Sequence, residues 1–256
     1  MTKNYREIAK KIRRRVIELL YKHNACHLGS CMSCIEILVA LYFGGIMKAE
    51  DKFLLSKGWA AAALYSILAE KGIIDWNDLY ANYYELGSKY WGLVHHTVPG
   101  IEHSFGSAGH GLPVAIGMAL ADRKKKAYVL VSDGECQCGT FYESILFASQ
   151  HKLNNLIVLI DNNRLQAFGW TKEVLNIEPI DKRVKTYNWK VQRVNGHNVK
   201  EIVKACKNLS NKKPNMIVCD TIKGKGISFA ENKLEWHYFN LDKKLMKRAL
   251  RDIDKM

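Results

Sequence analysis

The chain has 256 residues, 48% of them hydrophobic, and a formal net charge of +14 from 39 Lys and Arg against 25 Asp and Glu. That length buries a sizeable core, as one large domain or a domain with appendages, and the composition excludes a disordered chain. No apolar stretch reaches the roughly 20 residues needed to span a bilayer, and the opening MTKNYREIAKKIRRR is basic and amphipathic without the apolar centre of a secretion signal; a cytoplasmic protein with no membrane partner is expected.

A first helix is predicted over 4–22, where Ile8, Ile12, Val16 and Leu19 share one side and Lys10, Lys11, Arg13, Arg14 and Arg15 read as a solvated face. A helix follows over 33–43, then a strand at KFLLS from 52, helices over 60–71 and 76–85, and a loop over 87–111 crowded with Gly and His. A helix over 110–121 leads through a basic loop at Lys124–Lys126 to a strand at AYVLVS from 127, a helix over 139–152 and a strand at NLIVLID from 155. A helix over 180–187, a strand at WKVQRVN from 189, a helix over 198–209 and a strand at NMIVCDT from 215 complete the alternation, before a loop over 222–240 and a basic tail, KKLMKRALRDIDKM. Continuous apolar strands separated by helices define an α/β fold, a mostly parallel sheet with helices on both faces, in one domain over 1–256 with a helical front end. The basic residues come with no nucleic-acid motif and no aromatic-spaced groove, so no nucleic-acid partner is expected; phosphorylated substrates or an acidic partner chain would be served equally well.

Ligands of parallel sheets bind outside the carboxyl ends of the strands. Asp133 and Asn163 stand at two such ends, 30 residues apart across a single βαβ crossover. A carboxylate and an amide carbonyl, with water and ligand oxygens, suit Mg²⁺ or Ca²⁺, and Mg²⁺ usually keeps a phosphate among its ligands. Gly134 lets backbone approach a phosphate, and the helix starting near Gly139 offers amides to an anion. Taken as isolated dipeptides, Asp-Gly and Asn-Asn are adequately explained as turns. Both long loops, 87–111 and 222–240, should lie near the site.

The whole arrangement resembles the thiamine diphosphate signature, a Gly-Asp-Gly type turn followed about thirty residues later by Asn. From about residue 5 to 240 the chain resembles the N-terminal, diphosphate-binding subunit of a split transketolase-like enzyme. The segments ACHLGSCMSCIEILVALYF, KFLLSKGWAAAALYSILAEKG, VPGIEHSFGSAGHGLPVAIGMALA, GWTKEVLNIEPI and IKGKGISF followed by EWH carry that likeness. The resemblance implies thiamine diphosphate and Mg²⁺ (Ca²⁺ as a substitute) and transfer of a two-carbon ketol unit between sugars or sugar phosphates. It also implies a C-terminal, pyrimidine-binding partner chain in an α2β2 heterotetramer. By position it makes Asp133 and Asn163 metal ligands through their side chains and Leu165 one through its carbonyl. Ser132, Gly134 and Glu135 would flank the diphosphate turn, and Gly106, Ser107 and Ala108 would form the loop that passes the cofactor. His27 would lie near the reacting carbons and His237 near diphosphate and substrate. His95 and His96 are further catalytic candidates, and His103 and His110 weaker ones.

Three positions depart from that family. Trp59 stands where a histidine is usual, Leu93 at or near another, and Cys138 where a glutamate is usual. Trp donates one N–H and accepts nothing, so the alternatives are an altered substrate, another carboligation, or a noncatalytic cofactor-binding subunit. Seven cysteines without a disulfide framework read as free thiols of a reducing compartment. Cys31 and Cys34 with Cys136 and Cys138 pose a zinc alternative, which the family placement opposes; redox sensitivity of Cys138 is the better secondary reading.

Overall fold

The computed structural model describes residues 4–256. Helix α1 (Tyr5–Lys22) begins where the Asn4 side chain accepts the N–H of Glu7. Its apolar side buries Ile12, Val16 and Leu19, but the basic side is not uniformly solvated: Arg13 is fully buried. The helix expected over 33–43 is instead two, α2 (Leu28–Ser33) and α3 (Ile35–Phe43), broken at Cys34, whose ψ of 6° leaves the helical range. The break lets the Ser33 hydroxyl reach both Ser30 O and the carboxylate of Asp161.

Strand β1 (Lys52–Leu55) leads through a 3₁₀ turn (Gly58–Ala60) into α4 (Ala61–Glu70) and α5 (Trp76–Asn82). The last ends three residues before the predicted boundary, with Tyr84 in left-handed backbone. Then come α6 (Gly111–Ala121), β2 (Ala127–Ser132), a 3₁₀ turn (Gly134–Gln137), α7 (Gly139–Gln150) and β3 (Leu156–Asn162). A short α8 (Thr171–Leu175), α9 (Ile180–Thr186), β4 (Lys190–Asn195), α10 (Val199–Lys207), β5 (Asn215–Asp220) and α11 (Lys243–Asp254) follow.

All five strands are parallel, in the order β1-β2-β3-β5-β4. Every residue of β2 and β3 is buried, as a strand covered on both faces must be, whereas the edge strand β4 alternates. Helix α6 packs on β2 and α7 packs against α6, while α1, α3, α4, α10 and α11 form a second packed group. Ser132 pairs in register with Asp161, so the loops leaving β2 and β3 emerge side by side at one end of the sheet. No helix among the described residues is long and apolar enough to cross a membrane.

Candidate functional site

Those two loops are stitched to each other. Asp133 Oδ1 accepts the N–H of Gly134 at 2.8 Å, and its Oδ2 accepts Arg164 N–H at 2.5 Å and the Thr171 hydroxyl at 3.2 Å. Asn163 Oδ1 accepts Leu165 N–H at 3.1 Å. The βαβ crossover thus brings the two motif halves into one turn. Burial first, and then the nearby Asp161 charge, raises the Asp133 pKa to about 6.

A cavity of about 420 Å³ opens above this turn. Its lining includes His27, Gly106, Ala108, Ser132, Asp133, Gly134, Glu135, Asn163, Leu165 and His237, ten of the sequence-predicted residues, and also Trp59 and Leu93. Ser107, His95 and His96 are not part of that lining. The His95 ring stacks on Trp91 at 4.2 Å with Nδ1 2.8 Å from the Thr97 hydroxyl, and His96 Nδ1 lies 2.9 Å from the Ser104 hydroxyl. His103 and His110 are exposed and bond to the carbonyls of Ser104 and Ala108, loop-fixing roles.

Glu135 has no free acceptor to spare. Its Oε1 accepts the Ser56 hydroxyl and Gly109 N–H, and its Oε2 accepts both the N–H and the hydroxyl of Ser132. It therefore ties the loop at 106–109 to the end of β2. Gly109 itself needs φ +81°, and a Cβ there would press on Cys138 and Thr140.

Two lysines that sequence reasoning passed over complete the cleft. Lys223, 1% exposed, donates to the carbonyls of Leu165 (3.0 Å) and Gln166 (2.9 Å) and to His237 Nδ1 (3.0 Å). Lys57, also 1% exposed, pairs with fully buried Asp161 and donates to Ser30 O at 3.0 Å. The available signal was a lysine inside an otherwise apolar or Gly-rich run, SKGW and IKGKG, where a charge has to find a buried partner. Burial, then the Lys57 charge, lowers the Lys223 pKa to about 8.

His27 sits in left-handed backbone at φ 71°, its N–H bonded to His237 O at 3.0 Å and its ring edge-on to the His237 ring at 5.1 Å. Burial, reinforced by Lys223, lowers His27 to about 4 and His237 to about 3. Both imidazoles are neutral at pH 7. Since His237 Nδ1 accepts from an ammonium, its proton is on Nε2, which makes that nitrogen a donor.

The oxygen donors fit a hard divalent cation: one carboxylate, one side-chain amide oxygen and one main-chain carbonyl, the last now capped by the Lys223 ammonium. A buried carboxylate pushed up to about 6 is also one that a cation would relieve. Nearby, the buried Gln166 Nε2 has no hydrogen-bond partner among the described residues, a donor left for a ligand oxygen. No cluster of three or more His, Cys, Asp or Glu among the described residues is arranged to hold a metal, so the four thiols of the zinc alternative are not gathered. For Cys138, burial and then Glu135 raise the thiol pKa, which disfavours the reactive thiolate.

A parallel sheet with this turn at adjacent strand ends places the chain in the class of α/β proteins with the thiamine diphosphate-binding fold. The family model described as transketolase, thiamine diphosphate binding domain, matches residues 4–252. The chain belongs to the transketolase family. It is similar to one of the subunits of the apulose-4-phosphate transketolase of Phocaeicola vulgatus, with 39% identity over 90% of this chain and 86% of that one. It is also similar to the 6-deoxy-6-sulfo-D-fructose transketolase subunit SqwG of a Clostridium species, with 35% identity over 96% and 95%. Among solved structures, the transketolase of Campylobacter jejuni superposes with a TM-score of 0.88 at 28% identity, covering 99% of this chain and 43% of that one. The chain thus spans less than half the length of that transketolase and nearly all of relatives named as subunits, names that imply a partner subunit.

Proposed function

We propose that this chain is the diphosphate-binding subunit of a cytoplasmic two-chain transketolase-like enzyme, which moves a two-carbon ketol unit from a ketose to an aldose. The pyrimidine-binding half is a separate chain, and the assembly is an α2β2 heterotetramer with its cofactors at the subunit interfaces. The observation that supports this reading is that Asp133, Asn163 and Leu165 line one cleft together with His27 and His237. Asp133, Asn163 and Leu165 would hold Mg²⁺; Ser132, Gly134, Gly106 and the Gln166 amide would face thiamine diphosphate, which supplies the electron sink for carbon–carbon cleavage when bound. Lys223 adds positive charge at the diphosphate end. His237 Nε2–H is poised to donate to a phosphate or substrate oxygen. His27, neutral at pH 7, can hydrogen-bond a substrate hydroxyl and exchange a proton with it, a contribution of roughly 10²- to 10⁴-fold for such groups. Trp59 and Leu93 line the same cleft, which supports a substrate differing from an ordinary pentose phosphate on that side. The sugars named for the two relatives, apulose-4-phosphate and 6-deoxy-6-sulfo-D-fructose, are the first to screen.

The test is calorimetric titration of thiamine diphosphate with Mg²⁺ into the chain with and without its partner, beside Asp133→Ala. Tight binding that requires both the partner and Asp133 is expected. Robust ketol transfer by this chain alone, or binding indifferent to Asp133→Ala, would overturn the reading.

A further inference from the structure

Behind the cleft, two buried side chains and a partly buried histidine, from separate elements, form one continuous run of bonds. Arg13 of α1 forks onto Glu36 of α3, Nη1 to Oε1 at 2.6 Å and Nη2 to Oε2 at 2.9 Å. His197, in the turn between β4 and α10, lies with Nδ1 3.0 Å from Glu36 Oε2, while its Nε2 accepts the main-chain N–H of Ile222 at 2.8 Å. The accepting Nε2 puts the ring proton on Nδ1, facing the carboxylate. Arg13 Nε donates to the carbonyl of Lys225 at 3.2 Å.

Those two main-chain bonds fall on either side of Lys223. The same segment is anchored at Gly224, whose N–H bonds to Gly29 O at 3.0 Å, and at Thr221, whose hydroxyl bonds to Asp161. A lysine side chain has four rotatable bonds, so its ammonium meets three fixed acceptors at once only when the backbone beneath it is held. Apolar side chains of similar volume would fill the space behind the loop at least as well as a buried Arg–Glu pair with an imidazole beside it. They would offer no acceptor to Ile222 N–H and no donor to Lys225 O.

We propose that Arg13, Glu36 and His197 are positioning residues for Lys223. Through the peptide groups that flank it, they set its ammonium against the carbonyls of Leu165 and Gln166 and against His237 Nδ1, and so hold the cation and diphosphate end of the cleft in shape. The inference rests on the cofactor reading above for its functional consequence, but its structural step stands apart from it.

The experiment compares His197→Leu, which removes both bonds, with His197→Gln, whose amide can donate to Glu36 and accept from Ile222. Thiamine diphosphate affinity with Mg²⁺ is measured in the two-chain complex, in wild-type and Lys223→Met backgrounds. His197→Leu should weaken binding roughly 10- to 100-fold, as lost outer-shell support does at metal sites, and His197→Gln should recover most of it. With Lys223→Met present, His197→Leu should change affinity less than about twofold, because the two act in series. Unchanged affinity in His197→Leu, or the same factor in both backgrounds, would overturn the proposal. Hydrogen–deuterium exchange over 222–232 in the cofactor-free chain gives a separate reading: faster exchange in His197→Leu with 215–220 unchanged is expected. If the wild type binds no cofactor, the functional reading fails and the exchange result decides, equal rates overturning the positioning role. Should the Leu variant not fold, His197→Asn, too short to reach both partners, takes its place in each comparison.

Discussion

Replacing Lys57 by Met tests whether the buried ion pair under the cleft is held together by charge. Lys57 is 1% exposed and Asp161 fully buried; the pair is joined directly, with Ser33 Oγ donating to Asp161 Oδ2 at 2.5 Å and Thr221 to Oδ1. Burial alone would raise the Asp161 pKa, but the Lys57 ammonium together with the Ser33 and Thr221 hydroxyls more than offsets it, so the carboxyl lies below its usual range. Met keeps the length and the apolar stem and removes the charge. The carboxylate left behind should cost about 3–5 kcal/mol, the usual penalty for breaking a buried pair from one side, out of a total of about 5–15 kcal/mol for a folded domain. For an m of about 2 kcal/mol/M, the urea midpoint falls by about 2 M with the slope unchanged. Adding Asp161→Asn removes the orphaned charge while its amide oxygen still serves Ser33 or Thr221, and should recover about half of the loss. Without the ammonium, the folded Asp161 pKa rises above its unfolded value, so the penalty shrinks as pH falls through the folded value. The gap from wild type should therefore narrow between pH 7 and pH 4. A loss under about 1 kcal/mol, or an Asp161→Asn effect that adds to the Lys57→Met loss, would refute the reasoning.

Acid should destabilise the chain in two stages. His27 and His237, lowered to about 4 and about 3, are protonated first in the unfolded chain, so the melting temperature should fall as pH drops from about 6.5 toward 4; His27→Gln should flatten that first descent, and an unchanged slope would contradict it. Glu36 sits in a site where burial alone would raise its pKa, but Arg13 and His197 hold it down to about 2, so its contribution is complete above about 4.5 and is lost toward pH 2; Glu36→Gln should remove that second stage in the same melting series. Glu135→Gln places an amide N–H among four donors that now converge on a carboxylate; a loss of about 2 kcal/mol in urea titration is expected, and a variant as stable as wild type would show that Glu135 is not what ties Gly109 to Ser132.

All five strands were legible because β2, β3 and β5 are uninterrupted apolar runs and β1 and β4 are bounded by turn residues; periodicity needs nothing more. Helix α11 is masked in the sequence by its basic residues, although Asp242 caps it and Leu245, Ala249 and Ile253 recur every four residues. In the site, Asp133 and Asn163 were legible because a strand end at each fixes where their side chains emerge, whereas the resemblance, not the spacing, pointed to His27 and His237. Lys57, Lys223 and Arg13 escaped for one common reason. A cation's burial depends on a carbonyl or carboxylate brought to it by another element: Asp161 from β3 for Lys57, the Leu165 carbonyl for Lys223, Glu36 from α3 for Arg13. Counted along the chain, these three belong to a net charge of +14 that would serve phosphorylated substrates or an acidic partner chain equally well; counted in the fold, they are internal struts. Of these, Lys57 and Lys223 line the cleft, whereas Arg13 is bound to Glu36 away from its lining.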